Sequence, residues 1–394
     1  MSQAVGEKTG LRAFGREVVF IQDTSELVMG GVRARASGYG PVGKGGSLGG
    51  LLLHPVLAMD AKTGALLGLV SMNIWNRDKG LAGSRRKRAT ADKESQKWID
   101  ATVQAGDVLV TATQITGVSD RESDTFEHFV HRPAHVELIV RACQNRLIKA
   151  DAEEEKLFEF IDALPEQGRL VADIPAAPGR KARTAELAVR FSPVTLKKPQ
   201  HGAAKELPKT VDLTMVDIKE TSKPDGAEPI HWRLLTSYCV TDLDEASRIV
   251  DLYRMRWNVE EFFRTIKTAG FNIEEADIAD PKAMINLVAA ATVAAVTVMQ
   301  LVKARDGKTD QSLEDAFDTT DKPVLEAVSR NLEGSTVRQQ NPHPKGSLAF
   351  AAWVIARLGG WTGYYGKPGP KVMRIGLQQF KAISFGASLR IRDV

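Results

Sequence analysis

From Tyr253 to Lys267 the chain reads Tyr253-Arg-Met-Arg256-Trp-Asn-Val-Glu260-Glu-Phe-Phe-Arg-Thr-Ile-Lys267. At about 100° per residue, Tyr253, Arg256, Glu260 and Lys267 fall within one narrow stripe of a single helix. Leu252, Met255, Val259, Phe262, Phe263 and Ile266 form a broad apolar face beside it. One carboxylate is thus held between two cations and a phenol at the edge of a face that must be buried. A carboxylate in such company can hold a metal ion while the flanking cations grip phosphates. An amphipathic helix with ordinary solvated charges is the plainer reading of any one of these residues, but four at fixed offsets rarely arise by chance.

The spacing Tyr-x2-Arg-x3-Glu-x6-Lys resembles the YREK signature of transposases of the insertion-sequence-four family, which belong to the DDE class. The resemblance implies two aspartates upstream, each at the end of a β-strand. The first candidate is Asp23, after the β-branched and aromatic run Val18-Val-Phe-Ile-Gln. The second is Asp120, after Ile115-Thr-Gly-Val-Ser, in an Asp-Arg-Glu-x-Asp tail that looks like the family's second-aspartate motif. Alone, an Asp after a strand is usually a turn residue or a helix N-cap. Their order, their strand context and the Tyr253–Lys267 segment together make the case.

What the resemblance implies is a catalytic and metal-binding trio of Asp23, Asp120 and Glu260. Three converging carboxylates repel one another without divalent cations. A pair of Mg²⁺ ions, with Mn²⁺ as a substitute, about 3.5–4 Å apart would form a clamp for in-line displacement at phosphorus. Glu122, Asp124 and Glu261 are neighbouring alternatives; Glu261 lies about 100° off the stripe, which favours Glu260. Tyr253, Arg256 and Lys267 would bind DNA phosphates. Trp232, in Ile230-His-Trp-Arg-Leu-Leu, stands upstream of Tyr253 at a spacing that matches the family's base-stacking tryptophan. An indole there can receive a base flipped out of a hairpin, a stack worth roughly 1–3 kcal/mol; filling a hydrophobic interface is the commoner fate of a strand tryptophan.

Composition agrees with this reading without leading to it. The 394 residues are 43% hydrophobic and 26% charged, enough for a large core in two or three structural units. The net charge of +4 announces no global basic field. Its distribution says more: after Gly334 the basic residues Arg338, Lys345, Arg357, Lys367, Lys371, Arg374, Lys381, Arg390 and Arg392 face a single acid, Asp393. Such a tail is a plausible phosphate-binding surface, as is the run Arg85-Arg-Lys-Arg88. Cys143 and Cys239 form no CxxC pair, which speaks against disulfide frameworks and zinc sites. His128, His131 and His135 cluster loosely and read as surface or core histidines. The Ala-rich run Ile285–Val302 carries Asn286, Thr292, Thr297 and Gln300 and fits a buried helix better than a membrane span. With no apolar signal core at its start, the chain is expected to be soluble and cytoplasmic, with no membrane partner.

The order of elements suits an α/β fold with an RNase H-like catalytic core, a mostly β insertion and a helical C-terminal unit. The core takes residues 1–165 and 242–306, the insertion 166–241 and the C-terminal unit 307–394. Strands are expected to end at Asp23, over Leu51–Met59 and Ala65–Ile74 around the turn Asp60–Gly64, up to Asp120, and over Val136–Ala142. Helices are expected over Ala91–Gln104, Asp151–Leu164, Leu243–Thr268 and Pro281–Val302. Leu170–Ile174, Leu187–Phe191, Val211–Ile218 and His231–Ser237 supply the insertion's strands. Gly38-Tyr-Gly-Pro-Val-Gly43-Lys44 resembles the opening of a phosphate-binding loop, but Gly45 stands where Ser or Thr should bind Mg²⁺. It reads as a flexible loop between two core strands.

Relatives in this family carry a helical domain that recognises transposon ends before the first aspartate, and here about twenty residues precede Asp23. The resemblance therefore implies double-stranded DNA, both transposon ends and target, as partner, and a homodimer formed through the C-terminal unit. The expected reaction is nicking at an element end, closure of a hairpin by the freed 3′-hydroxyl, reopening and strand transfer. The alternative is an N-terminally truncated, catalytically silent DNA-binding remnant or an inhibitor of a full-length transposase.

Overall fold

The computed structural model describes residues 2–32, 37–77, 95–150, 153–174, 182–200, 206–222 and 228–390. The basic run at 85–88, the expected helix start at 91–94 and the last residues, 391–394, lie outside that set. Among the described residues thirteen strands form one sheet. They are β1 (Glu17–Gln22), β2 (Ser25–Val28), β3 (Gly40–Val42), β4 (Leu48–Asp60), β5 (Leu66–Trp75), β6 (Gln114–Ser119), β7 (Val136–Arg141), β8 (Leu147–Ala150), β9 (Glu153–Lys156), β10 (Gly168–Ile174), β11 (Arg183–Lys197), β12 (Thr210–Glu220) and β13 (His231–Thr236).

β1 lies at the centre of the first half. It runs antiparallel to β4 (Phe20↔Ala58) and parallel to β6 (Phe20↔Gly117). β5 extends the antiparallel side from β4, turning at Gly64 with φ 69, and β7 extends the parallel side from β6. The contact between β1 and β6 is close: a Cβ added at Gly117 would lie 2.4 Å from Phe20. β1 is buried from Val18 to Gln22 because both of its faces are covered. Successive side chains point to opposite faces, so Val19 and Ile21 enter one core cluster and Val18 and Phe20 the other.

The first cluster is closed by the helices Leu243–Arg254, Trp257–Arg264 and Pro281–Ala304. The second is closed by Gln96–Val108, Phe126–Val130 and Leu157–Ala163. Asp242 and Asp280 accept backbone N–H groups of the helices that follow them, at 2.8 and 3.0 Å, which sets where those helices start. Pro281–Ala304 is long and apolar enough to cross a membrane by length and composition. Here Met284, Val288, Ala295 and Met299 face the first cluster.

The strands of the second half continue the same sheet. β13 pairs with β7 (Leu235↔Val140), and β12, β11 and β10 follow, with the β8–β9 hairpin joined to β11 at Leu196↔Ile148. The helices Asp321–Leu332, Leu348–Leu358 and Pro370–Arg390 surround a third cluster with Phe317, Trp353 and Phe380.

Several local expectations need correcting. The acid-rich segment read as the start of a helix is β9, because pairing with β8 at the sheet margin outweighs its helix propensity, and only Leu157–Ala163 is helical. The glycine-rich loop contributes β3, paired to β4 at Pro41↔Gly49. The N-terminal residues form the helix Ser2–Ala13, whose Thr9 hydroxyl donates to the Leu69 carbonyl at 2.7 Å. Of the nine basic residues after Gly334, Lys345, Lys367 and Lys381 pair with Glu326, Asp306 and Asp321.

Candidate active site

β1 and β6 are neighbours and parallel, so both end at the same edge of the sheet, where open α/β sheets present their ligand-binding crevices. Asp23 follows β1 directly and Asp120 follows β6, leading a short 3₁₀ turn, Arg121–Ser123. The helix expected to run unbroken from Leu243 to Thr268 is interrupted. Leu243–Arg254 ends, Met255 and Arg256 form a turn, Trp257–Arg264 resumes, and Thr265–Ala269 widens into a π turn. Such bulges are frequent at functional sites.

The break places Arg256 among the carboxylates. Its Nη2 lies 2.9 Å from Glu260 Oε1, and its Nη1 lies 3.7 Å from Asp23 Oδ2 and 4.0 Å from Asp120 Oδ2. The arginine is 5% exposed, whereas the Glu260 side chain keeps 44% of its surface. Burial pushes the Asp23 carboxyl up to about 6; Asp120 and Glu122 add to the rise, while the Thr24 N–H and Arg256 oppose it. Asp120 Oδ1, Arg256 Nε and the Tyr253 hydroxyl are buried without hydrogen-bond partners among the described residues. Buried polar atoms are normally paired, so an orphaned carboxylate oxygen here suits a site that takes a further ligand. Burial also raises the Tyr253 phenol, which stays a protonated donor.

Trp232, on β13, packs edge to face against Tyr253 with ring centroids 5.6 Å apart, so both reach this edge of the cleft. Lys267 does not join the carboxylates. The π turn directs its Nζ to the Glu26 carbonyl at 2.6 Å and to Glu274 at 3.5 Å. Two of the alternative acids are placed apart, Asp124 fully buried and bound to Arg146 and Glu261 paired with Arg264 at 3.0 Å, whereas Glu122 is exposed and near enough to Asp23 to raise its carboxyl.

Among the described residues the acidic group with metal-like spacing is Asp162, Asp217 and His231, whose ligand atoms lie within 4.8 Å of one another; Asp23, Asp120 and Glu260 are spread more widely around Arg256. The carboxylates of Asp162 and Asp217 already face cations, although Asp217 Oδ2 has no hydrogen-bond partner among the described residues. Arg233 Nη2 donates to both oxygens of Asp162 at 2.7 Å, and Asp217 lies between Arg190, Arg233 and His231. Two guanidiniums on two carboxylates leave little charge to attract a cation, and we read this group as a structural ion-pair network. No sequence motif marked it. Nor did one mark the buried polar side chains Gln22, His54, Thr102 and His128 behind the aspartates, because they lie far apart in the chain on different elements.

Residues 83–296, more than half of the chain, match the model of the family described as transposase DDE domain. That span contains Asp120, Trp232, Tyr253, Arg256, Glu260 and Lys267 and leaves Asp23 outside it. Among solved structures the chain is similar to a piggyBac transposase synaptic complex with hairpin DNA, at 8% identity and a TM-score of 0.36. The likeness covers 74% of this chain and 48% of that one, so the chain spans about half of that relative's length. A likeness so distant carries no information about chemistry.

Proposed function

The chain belongs to the transposase DDE domain family, and from that premise we propose that it is a DDE transposase of the YREK-bearing, insertion-sequence-four group. It cuts and joins DNA at transposon ends with divalent cations. The observation that carries the reading is the meeting of Asp23, Asp120 and Glu260 around one guanidinium at the ends of two parallel strands. The strand order β5-β4-β1-β6-β7, antiparallel on one side of β1 and parallel on the other, supports an RNase H-like core. Residues 1–165 and 242–306 form that core, 166–241 the β insertion, and 307–394 the helical unit through which a homodimer forms.

Asp23, Asp120 and Glu260 are the residues that would hold Mg²⁺ or Mn²⁺, and the orphaned Asp120 Oδ1 fits that role. When bound, the ions supply an activated oxygen nucleophile and stabilise the leaving oxygen. The chain's own residues do the rest. Arg256 neutralises the carboxylates and turns to the scissile phosphate as they engage, Tyr253 donates its hydroxyl to a neighbouring phosphate, and Lys267 supplies a second cation near β2. Trp232 offers a face for a base extruded during hairpin closure, at a stack worth roughly 1–3 kcal/mol.

The test is strand nicking and hairpin formation on labelled DNA carrying the cognate element ends, with Mg²⁺ or Mn²⁺, for the chain and its Glu260→Ala variant. Cleavage that is lost in the variant supports the trio. Equal cleavage by both removes it. DNA binding with no metal-dependent cleavage by either form supports a silent regulatory protein instead.

A further inference from the structure

Behind the two aspartates a line of buried side chains crosses from one catalytic loop to the other. The Thr24 hydroxyl lies 2.8 Å from His54 Nδ1, and His54 Nε2 lies 3.2 Å from Gln22 Oε1. Gln22 Nε2 donates to Thr102 Oγ1 at 3.1 Å, Thr102 Oγ1 lies 2.9 Å from His128 Nε2, and His128 Nδ1 lies 3.1 Å from the Ser123 carbonyl. Each end is tied to an aspartate. The Thr24 N–H donates to Asp23 Oδ1 at 2.7 Å, and the Ser123 hydroxyl donates to the Asp120 carbonyl at 2.9 Å.

One assignment of protons satisfies every link of the line, with the Trp98 carbonyl, 2.9 Å from the Thr102 hydroxyl, as the competing acceptor of the Thr102 proton. The Ser123 carbonyl can only accept, so His128 carries its proton on Nδ1 and accepts at Nε2 from the Thr102 hydroxyl. Thr102 then accepts from the Gln22 amide, whose oxygen accepts from a proton on His54 Nε2. His54 Nδ1 in turn accepts from Thr24. The five bonds point the same way, and both rings are neutral. Burial independently favours the neutral rings, lowering His54 to about 3 and His128 to about 4. Gln22, His54, Thr102, Ser123 and His128 are each no more than 1% exposed. In so dry a setting, aligned bonds reinforce one another, and cutting one leaves two polar groups unmatched.

The sheet fixes β1 against β6 but not the turns beyond them, and those turns carry the aspartates. We infer that this directional chain of hydrogen bonds sets the separation and orientation of the Asp23 and Asp120 carboxylates for divalent cations, making His54, Gln22, Thr102 and His128 positioning residues. The inference rests on the reading of those carboxylates as metal ligands.

Its test is direct Mn²⁺ binding by the full chain without DNA, followed by electron paramagnetic resonance and calorimetry, alongside melting temperature. Asp23→Asn tests the metal reading itself. Thr102→Val cuts the chain in the middle at nearly constant volume, Thr102→Ser keeps the hydroxyl, and Leu325→Ala destabilises the distant third cluster. We expect Thr102→Val to weaken Mn²⁺ binding at least tenfold and Thr102→Ser to stay within twofold of the parent. Leu325→Ala should melt earlier with its Mn²⁺ affinity unchanged. Unaltered affinity in Thr102→Val, or an equal loss in Leu325→Ala, overturns the positioning role. Unaltered affinity in Asp23→Asn overturns the metal reading and this inference with it. If Thr102→Val does not fold, Gln22→Met cuts the same chain one link earlier and is judged by the same criteria.

Discussion

Replacing Asp23 by Asn should make the metal-free protein more stable at pH 8 while destroying its metal site. Burial raises this carboxyl from its ordinary 3.8 to about 6. A group whose folded value is raised contributes stability that is complete below its unfolded value and lost as the pH climbs through the folded one. The native chain therefore loses stability between about pH 4 and pH 7 on account of Asp23. At about 1.4 kcal/mol per pH unit, the loss approaches roughly 3 kcal/mol. Since 23% of the side chain still reaches solvent, that figure is a ceiling. Asn keeps the oxygen that accepts the Thr24 N–H and does not ionise, so Asp23→Asn retains what the native chain loses. For 394 residues unfolding as one unit, about 3 kcal/mol corresponds to roughly 3–4 °C. The assay is thermal unfolding in EDTA at pH 4 and pH 8. The variant should match the parent at pH 4 and melt later at pH 8, and added Mn²⁺ should narrow the gap by stabilising the parent alone. A variant that melts at or below the parent at pH 8, or one with the same gap at both pH values, would refute the reasoning.

The other predictions concern neighbouring parts of the same edge. Glu260→Gln should slow nicking by roughly 10²-fold or more, since several kcal/mol of charge stabilisation passes through the metal ligands; its melting temperature should barely move, because the side chain is 44% exposed. Trp232→Ala should leave the first nick intact and slow hairpin closure by the roughly 1–3 kcal/mol of a lost base stack, read as nicked intermediate accumulating on a gel. Asp217→Ala should cost about 1–3 kcal/mol in urea unfolding, because Arg190 loses its carboxylate while Arg233 keeps Asp162; Mn²⁺ should not shift the melting of Asp23→Asn, in which that ion-pair network remains. Gly117→Ala should cost about 1–3 kcal/mol by forcing apart Phe20 and Leu138, against which its Cβ would lie at 2.4 and 2.9 Å.

The elements that carry the aspartates were legible because each is a short apolar run stopped by an acid, and both runs are buried on two faces in the fold. Glu260 and Tyr253 were legible for a different reason, the offsets along the Tyr253–Lys267 segment. What those offsets hid is the break at Met255–Arg256 and the π turn at Thr265–Ala269. An ideal helix puts Lys267 beside Glu260, and the real one sends it to Glu26 and Glu274. The acidic stretch before Leu157 misled in the opposite sense, since its local propensity gives way to pairing with the strand just before it, Ala150↔Glu153 to Leu147↔Lys156, which helical periodicity does not register. The buried chain from Thr24 to Ser123 left no trace in sequence. His54 sits inside an apolar strand and His128 in a short helix, and nothing in either segment indicates that Gln22 and Thr102 lie between them.

The strands run without interruption from β6, which ends at Asp120, through β7 to β13, which carries Trp232. At about 4.8 Å per strand, the cutting edge and the indole stand roughly 10 Å apart across a continuous ladder of hydrogen bonds. A ruler of that stiffness does not yield to the molecule laid across it. On the proposed activity, the contortion needed to reach both marks at once falls on the nucleic acid. Its cost then varies with the sequence beside the cut, lower for flexible pyrimidine–purine steps than for stiff A-tracts. Selectivity among DNA ends would arise in this way at base pairs that no side chain touches.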